Sequence, residues 1–104
     1  MRIRTLNAAQ HDLRDGYRFY ELQEKGLGTY FLDSLYADID SLMLFAGIHL
    51  VVENGYYRML AKRFPFAVYY RIEENTILVY SILDCRRRPS WNRKRLYLAT
   101  TKGI

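Results

Sequence analysis

The sequence predicts an α+β fold in which a helical hairpin packs on one face of a small antiparallel sheet of three to four strands. Apolar residues recur at helical spacing through residues 8–46, whereas alternating or continuous apolar runs typical of strands fill residues 56–84. A glycine-containing break at residues 26–28 separates the two helices. A length of 104 residues predicts one domain over residues 1–104.

The first predicted elements are a short strand and a helix. Ile3 alternates with charged residues, which suggests an edge strand over residues 2–6. Asn7 has a side chain suited to cap a helix N-terminus, and Gln10 follows three residues later, as in a capping box. We therefore expect the first helix over residues 8–25. Its apolar face carries Leu13, Tyr17 and Tyr20.

The second predicted helix has the clearest periodicity in the chain. Its apolar residues recur every three or four positions and are expected in the core: Phe31, Leu32, Leu35, Tyr36, Ile39, Leu42, Met43 and Ala46. Aspartates fall largely on the opposite face: Asp33, Asp38 and Asp40. Gly47 is expected to end the helix, because glycine readily adopts the left-handed conformation found there. Two such helices joined by a glycine turn form a helical hairpin.

Three strands are predicted after the hairpin. The first covers residues 56–63 and the second residues 66–73, with Pro65 in the link, where a missing N–H does no harm. The third, residues 77–84, is apolar on both faces, as expected of a central strand, and residues 74–75 form a tight turn before it. Alternation in the second strand directs Phe66, Val68, Tyr70 and Ile72 to one face, and Ala67, Tyr69, Arg71 and Glu73 to the other.

Charge is divided unevenly along the chain. Residues 1–55 hold five Lys or Arg and eight Asp or Glu, a net charge of −3, whereas residues 56–104 hold eleven and three, a net charge of +8. Arginine stays charged at physiological pH and offers phosphate a planar fork of donors. The basic half therefore predicts an anionic partner, with nucleic acid as the first candidate. A solvated basic surface without a ligand is the alternative.

The cysteine, the histidines and the apolar runs restrict the class of protein. Cys85 is the single cysteine, so an intramolecular disulfide is excluded and a reducing compartment is favoured. His11, His49 and Cys85 do not have metal-ligand spacing, so neither a metal nor another cofactor is expected. The N-terminus lacks the apolar segment of a signal peptide, and no apolar run is long enough to cross a membrane. We therefore expect a cytoplasmic protein.

If the helices cover one face of the sheet, the other face is free to bind a ligand. Tyr69 and Arg71 lie on that face of the second strand, and Arg58 and Lys62, four residues apart, share a face of the first. Three arginines follow the last strand: Arg86, Arg87 and Arg88. Tyrosines stack on bases and arginines hold phosphates, so this surface predicts nucleic-acid binding. In the alternative, the tyrosines fill the core and the arginines are solvated.

Two stretches of the basic half resemble a known protein family. One is Arg58-Met59-Leu60 followed by Lys62-Arg63-Phe64-Pro65-Phe66-Ala67-Val68-Tyr69-Tyr70-Arg71; the other runs over residues 77–91 and contains Asp84-Cys85-Arg86-Arg87-Arg88-Pro89. Phe19-Tyr20, Gly26-Leu27-Gly28 and Phe31-Leu32 in the helical half match as well. Together they resemble toxins of the RelE/ParE superfamily, the toxin halves of type II toxin–antitoxin, or plasmid-stabilisation, systems. The resemblance implies the α+β fold predicted above and a cognate antitoxin as protein partner.

The resemblance also implies two activities. RelE-like toxins cleave mRNA on the ribosome without a metal, and ParE-like toxins poison DNA gyrase. If this chain cleaves mRNA, Arg58 and Arg86 match the phosphate-stabilising arginines, Lys62 is an electrostatic helper, and Tyr69 or Tyr97 transfers a proton. The candidates for binding the nucleic acid or another target are Arg63, Arg71, Arg87 and Arg88.

Metal-independent, ribosome-dependent mRNA cleavage is the favoured hypothesis, and it would make the protein an endoribonuclease of the mRNA interferase type. Inhibition of DNA gyrase is one alternative. A non-catalytic module that docks an acidic partner through its basic sheet face is another. Asp84 lies where relatives often have histidine, and beside three arginines it is expected to be an ionised salt-bridge partner with a lowered pKa.

Overall fold

A five-stranded sheet with the strand order β1-β5-β4-β3-β2 runs through the middle of the molecule. The computed structural model describes residues 1–102, so the last two residues of the predicted domain lie outside the described part. The elements are β1 (Arg2–Thr5), α1 (Asn7–Gln23), α2 (Leu27–Asp40), α3 (Leu42–Phe45), β2 (Leu50–Val51), β3 (Tyr57–Leu60), β4 (Phe66–Glu73), β5 (Thr76–Asp84) and α4 (Pro89–Lys102).

The predicted α+β class and helical hairpin are confirmed, but the sheet is larger than expected and mixed. β1 is the edge strand suggested by the sequence, and it pairs with β5 in parallel. The other three pairs are antiparallel. A parallel pair needs a long connection, and the whole hairpin and the next three strands supply it between β1 and β5. The strand that the sequence did not predict, β2, is only two residues long.

The hairpin face of the sheet holds the larger core. Helix residues Ala9, Leu13, Tyr20, Phe31, Leu35, Ile39 and Leu42 pack there against Met59, Phe66, Val68, Tyr70, Ile77, Val79 and Ile82. This confirms the predicted orientation of β4 and most of the predicted stripe of the second helix. Tyr36 and Met43, however, are exposed. Gly16 allows α1 and α2 to approach closely, because a Cβ there would lie 2.4 Å from the Phe31 ring.

The start of α1 differs from the capping box predicted at Asn7. Asn7 is already the first helical residue, and Leu6 precedes the helix without a side-chain cap. Leu6 is buried and its N–H donates to Val79 O at 3.0 Å, so the chain turns into the helix directly from the sheet. Gln10 instead donates from Nε2 to Thr5 O at 2.9 Å.

The hairpin turn is held by a side chain that the sequence did not single out. The Glu21 carboxylate accepts hydrogen bonds from the N–H groups of Gly26 and Gly28, at 2.9–3.1 Å. Gly26 has φ +91°, which favours glycine. At the other end, Gly47 is also left-handed with φ +97°, as predicted for a residue that ends a helix.

Asp38 was predicted on the solvent face of the second helix, and this prediction was wrong. Its side chain is only 4% exposed, and Oδ2 accepts a hydrogen bond from the Lys62 N–H at 3.1 Å. The buried carboxylate satisfies a backbone donor of the loop between β3 and β4, which explains an acidic residue inside the helical stripe. The loop itself begins earlier than predicted, because β3 ends at Leu60 and not at residue 63.

β4 and β5 form the predicted hairpin with one irregularity. Glu74 and Asn75 both have positive φ, as in the tight turns that join twisted antiparallel strands. Tyr69 pairs with Ser81 but Tyr70 pairs with Val79, so Tyr80 is an extra residue in β5. The bulge lies beside Tyr69, in the half of the sheet that leads to the arginine-rich segment.

The second face of the sheet is not free, which corrects the prediction of an open binding surface. α4 packs on it, and Leu96 and Ala99 join a second core with Leu6, Tyr56, Ala67, Tyr69, Leu78, Tyr80 and Leu83. The sequence analysis placed no helix after residue 84. Pro89 is the first residue of α4, a position that proline favours, and it was the signal for this helix.

Candidate functional site

A cleft of about 240 Å³ lies between the second face of the sheet and α4. The part of its lining that the structure describes is positively charged and contains no carboxylate or imidazole: Val52, Arg58, Tyr69, Cys85, Arg87, Pro89, Asn92, Arg93 and Leu96. β3 and β4 supply one wall, the segment after β5 the floor, and α4 the other wall. We call this space the α4 cleft. It brings together Arg58, Tyr69 and Arg87 of the residues predicted from the sequence.

Arg58 and Tyr69 form the centre of the α4 cleft. They are direct partners in the β3–β4 ladder, so their side chains leave the same face of the sheet. Arg58 Nε donates to the Tyr69 hydroxyl at 3.2 Å, and the guanidinium also approaches Cys85 Sγ at 3.7 Å. Burial would lower the pKa of Arg58, but the contacts with Tyr69 and Cys85 outweigh it and raise the pKa. The guanidinium is therefore a fixed positive charge.

Tyr69 presents a hydroxyl whose oxygen accepts from Arg58, which leaves its own proton available for another acceptor. The side chain is only 5% exposed because α4 lies over it. Tyr97, the other proton-transfer candidate, is on α4, is 62% exposed and does not line the α4 cleft. Of Tyr69 and Tyr97, Tyr69 is therefore the one that is hydrogen-bonded to Arg58 in the α4 cleft.

Arg86 does not line the α4 cleft. Its guanidinium donates to both oxygens of Asp84, at 2.7 and 3.0 Å, and contacts the Tyr20 hydroxyl at 3.5 Å, towards the hairpin. The hydrogen bonds and charge of Arg86 lower the pKa of Asp84 although burial opposes this, and the ion pair between the two residues confirms the predicted salt-bridge partner. Arg87, and not Arg86, lines the α4 cleft together with Arg58, and its guanidinium lies 4.5 Å above the Trp91 ring.

The remaining predicted residues have separate positions. Lys62 and Arg63 are exposed in the loop after β3, so the shared strand face expected for Arg58 and Lys62 does not exist. Arg71 lies over the rings of Tyr56 and Tyr80, at 4.2 and 5.4 Å, and donates to Asn54 O. Arg88 is exposed, and its carbonyl accepts from Trp91 and Asn92 as α4 begins.

Sequence reasoning missed Asn92 and Arg93 because it missed α4. Both line the cleft from the first turns of that helix. The spacing of Asn92, Leu96 and Ala99 at four and three residues was the available signal that this stretch is helical.

Two further structural properties bear on the kind of protein this is. Among the side chains that the structure describes, no three or more of His, Cys, Asp or Glu are grouped so that they could hold a metal ion. His49 instead bonds the Tyr70 hydroxyl through Nδ1, and burial lowers its pKa. None of the described helices is long and apolar enough to cross a membrane.

Comparison with known proteins supports the fold. No protein-family model matches the chain, and no curated protein matches it. A solved structure described as "Chromosomal ParDE TA system from P. aeruginosa" is similar with a TM-score of 0.74 at 20% sequence identity, over 79% of this chain and 92% of that one. The RelE/ParE-like fold implied by the sequence resemblance is thereby confirmed.

Proposed function

We propose that this protein is the toxin component of a type II toxin–antitoxin system and that it inhibits growth by metal-independent cleavage of mRNA on the ribosome. The observation that carries the proposal is the Arg58–Tyr69 pair in the α4 cleft, with Arg87 and Arg93 around it. The RelE/ParE-like fold and the motifs of residues 58–71 and 77–91 support the toxin class. A cognate antitoxin is the protein partner that this class requires.

The chemistry follows from what the α4 cleft offers. In metal-free cleavage the ribose 2′-oxygen attacks the adjacent phosphorus, the bond from phosphorus to the 5′-oxygen breaks, and a cyclic phosphate and a 5′-hydroxyl result. Arg58 and Arg87 would stabilise the charge that builds up on the phosphate. Tyr69 would give its proton to the leaving 5′-oxygen, since its hydroxyl oxygen already accepts from Arg58. Cleavage would leave Tyr69 as the phenolate, which would then take up a proton from water and return to its starting state.

The proton of the 2′-hydroxyl needs a separate acceptor. Among the described side chains that line the α4 cleft there is no carboxylate or imidazole, and the nearby Asp84 is bound to Arg86 with a lowered pKa, which makes it a weak base. We infer that the acceptor comes from outside the cleft, in agreement with a reaction that requires the ribosome. Naked RNA should then be a poor substrate.

Inhibition of DNA gyrase is the second candidate function. It is favoured by the similarity of the fold to the ParDE structure and by the small exposure of Tyr69. Under this function the basic residues after β5 would dock the target, and the Tyr69 hydroxyl would have no chemical role.

The first experiment is induced expression in a bacterial host without antitoxin, with labelled methionine and thymidine incorporation followed over the first minutes. Under the proposal methionine incorporation falls first. Early loss of thymidine incorporation would favour gyrase, and no effect on growth would contradict the toxin assignment. Tyr69→Phe removes only the hydroxyl and should suppress the effect by about 100-fold or more, as expected for loss of a general acid.

Tyr97→Phe is the matched control for the tyrosine substitution. Tyr97 lies on α4, the helix that covers the same face of the sheet, but it does not line the α4 cleft. The Tyr97→Phe variant should therefore remain toxic. If both variants were equally toxic, Tyr69 would not be the acid. Circular dichroism of both purified variants shows whether the fold is intact.

A further inference from the structure

A second cleft, of about 260 Å³, lies where α1, the end of β5 and the start of α4 meet. Asp15 and Phe19 line it from α1, Asp84 from the end of β5, Arg87 from the segment after β5, and Trp91 from the first turn of α4. We call this space the α1 cleft. Its volume is slightly below the ~300–1,000 Å³ typical of sites for drug-sized ligands, so it suits a single planar ring system.

The α1 cleft and the α4 cleft are neighbours on the surface. Arg87 lines both of them. Asp84 lines the α1 cleft and the next residue, Cys85, lines the α4 cleft, and Trp91 and Asn92 are divided between the two clefts in the same way. Consecutive Cα atoms are only about 3.8 Å apart. An RNA strand with one phosphate in the α4 cleft would therefore bring an adjacent base to the α1 cleft.

The α1 cleft carries two exposed aromatic rings, one from each of two helices. Phe19 of α1 is 50% exposed and Trp91 of α4 is 38% exposed. The Arg87 guanidinium lies 4.5 Å from the centre of the Trp91 ring, and the Arg95 guanidinium lies 5.8 Å from it. Aromatic rings and guanidinium planes are the surfaces on which unpaired bases stack. The α1 cleft therefore offers stacking surfaces for one base.

Asp15 gives the α1 cleft a carboxylate that is available to a ligand. The other two aspartates of the cleft are already bound, Asp12 to Arg95 and Asp84 to Arg86. Asp15 is exposed, and no side chain within the described part of the chain forms an ion pair or hydrogen bond with it. An ionised carboxylate only accepts hydrogen bonds, and its two oxygens can accept from two adjacent donors.

We propose that the α1 cleft binds the base next to the phosphate held in the α4 cleft and selects guanine, an inference that rests on the proposed cleavage of mRNA. Guanine presents two adjacent donors, N1–H and N2–H, which match the two oxygens of Asp15. Adenine and cytosine have a ring-nitrogen acceptor beside their amino group, and uracil has a carbonyl on each side of its N3–H. The Asp15 carboxylate would repel these acceptors, so the other three bases bind less tightly.

Trp91 is the single tryptophan of the chain, so its fluorescence reports binding in the α1 cleft directly. We expect a saturable change when the intact protein is titrated with guanosine 5′-monophosphate. The affinity should be at least about fivefold higher than for the adenosine, cytidine or uridine monophosphate, as expected for a bidentate contact. Equal affinities for the four nucleotides, or a change that does not saturate, would overturn the proposal.

Two substitutions test the parts of the site in the same titration. Asp15→Asn replaces one acceptor oxygen by a donor and should remove the preference for guanine; a variant that retains the preference would overturn the role of Asp15. Asp33→Asn changes an exposed aspartate of α2 outside the described lining, and as the matched control it should keep the preference. Phe19→Leu removes a stacking ring and should lower the affinity for all four nucleotides about fivefold or more; unchanged affinities would overturn the placement of the base against α1.

Cleavage on ribosomes separates the base site from the proposed function. Purified protein is added to a translating extract with reporter mRNAs that differ in one base, and the 5′ ends of the products are mapped. We expect cuts next to guanine to be at least about fivefold more frequent than cuts next to other bases, and Asp15→Asn to lose this difference. Cleavage without the difference would overturn the base site and leave the proposed function intact. Guanine-selective fluorescence without any cleavage would support the base site and contradict the proposed function.

Discussion

The two faces of the sheet are built from the same strands but stabilised differently. On the hairpin face, aromatic and aliphatic side chains pack against one another, and rings such as Phe31 and Phe66 lie 5.0 Å apart. On the α4 face, tyrosines pack with arginines, and Arg71 lies over Tyr56. Alternation in β4 supplies both faces. The hairpin face is therefore an apolar core, whereas the α4 face combines a buried core with arginine contacts.

This difference between the two faces of the sheet agrees with the proposal that the functional site lies on the α4 face. On the hairpin face, the packed rings are stabilised by the exclusion of water, and no ligand needs to reach them. The α4 face contains Arg58 and Tyr69 as neighbours, and its covering helix is held partly by the Asp12–Arg95 ion pair. Breaking the apolar side should therefore unfold the protein, whereas changes on the α4 side should have smaller effects on the free energy of unfolding.

The largest effect is expected from Phe31→Ala. Phe31 is completely buried and contacts the rings of Tyr20, Phe64 and Phe66. Its removal should lower the free energy of unfolding by about 3–5 kcal/mol, because the cavity cannot close fully. Urea unfolding of the variant measures this. Phe19→Ala on the half-exposed side of α1 is the control and should cost about 1 kcal/mol or less; equal losses would contradict a core centred on Phe31.

A smaller effect is expected from Arg71→Met on the α4 face. The variant keeps an unbranched apolar side chain in place of the arginine stem but removes the cation over Tyr56 and Tyr80 and the bond to Asn54 O. The free energy of unfolding should fall by about 1–2 kcal/mol. Thermal or urea unfolding measures it, with Arg63→Met in the exposed loop as control. A loss as large as that of Phe31→Ala would remove the distinction between the two faces.

Glu21→Gln tests the turn that closes the hairpin face. The carboxylate accepts from Gly26 and Gly28, and an amide offers one acceptor without the negative charge at the start of α2. We expect a loss of about 1 kcal/mol. Glu24→Gln, in the same turn, is the control. Unchanged unfolding of Glu21→Gln would show that the glycines alone determine the turn.

The smallest effect concerns the Asp84–Arg86 ion pair. The pKa of Asp84 is lowered in the folded state, so the stability it contributes is present above its unfolded pKa and is lost as the pH falls through the folded value. Because Arg86 is more than half exposed, the contribution should be a few tenths of a kcal/mol. Arg86→Gln should raise the Asp84 pKa measured by NMR. Arg88→Gln should change it less.

Sequence periodicity was sufficient for the elements whose apolar pattern is strong. β4 has the predicted bounds, and its alternation places Phe66 and Val68 on the hairpin face and Tyr69 on the other. The turn at Glu74-Asn75 and the second helix as far as Asp40 were likewise predictable, because local spacing and backbone preference determine them, whereas the break at Ser41 that separates α3 from α2 was not predicted. The buried Asp38 was not, since its partner is a backbone N–H brought near only by the fold.

The candidate site was predictable in part. The pattern of β3 and β4 identified Arg58 and Tyr69, which the strand pairing makes direct neighbours. It did not distinguish Arg86 from Arg87, because the turn after β5 sends one guanidinium to Asp84 and the other to the α4 cleft. Their roles in cleavage stay predictions until the expression experiment is done.

The sequence by itself determined the α+β class, the hairpin, the orientation of the central strands and the basic character of the second half. These depend on local periodicity and composition, which a linear chain displays directly. The tertiary structure decided the parallel pairing of β1, the cover formed by α4 and the burial of Asp12 against Arg95. Each joins residues distant in the chain, and their interaction energy depends on desolvation and geometry that arise only when the elements pack.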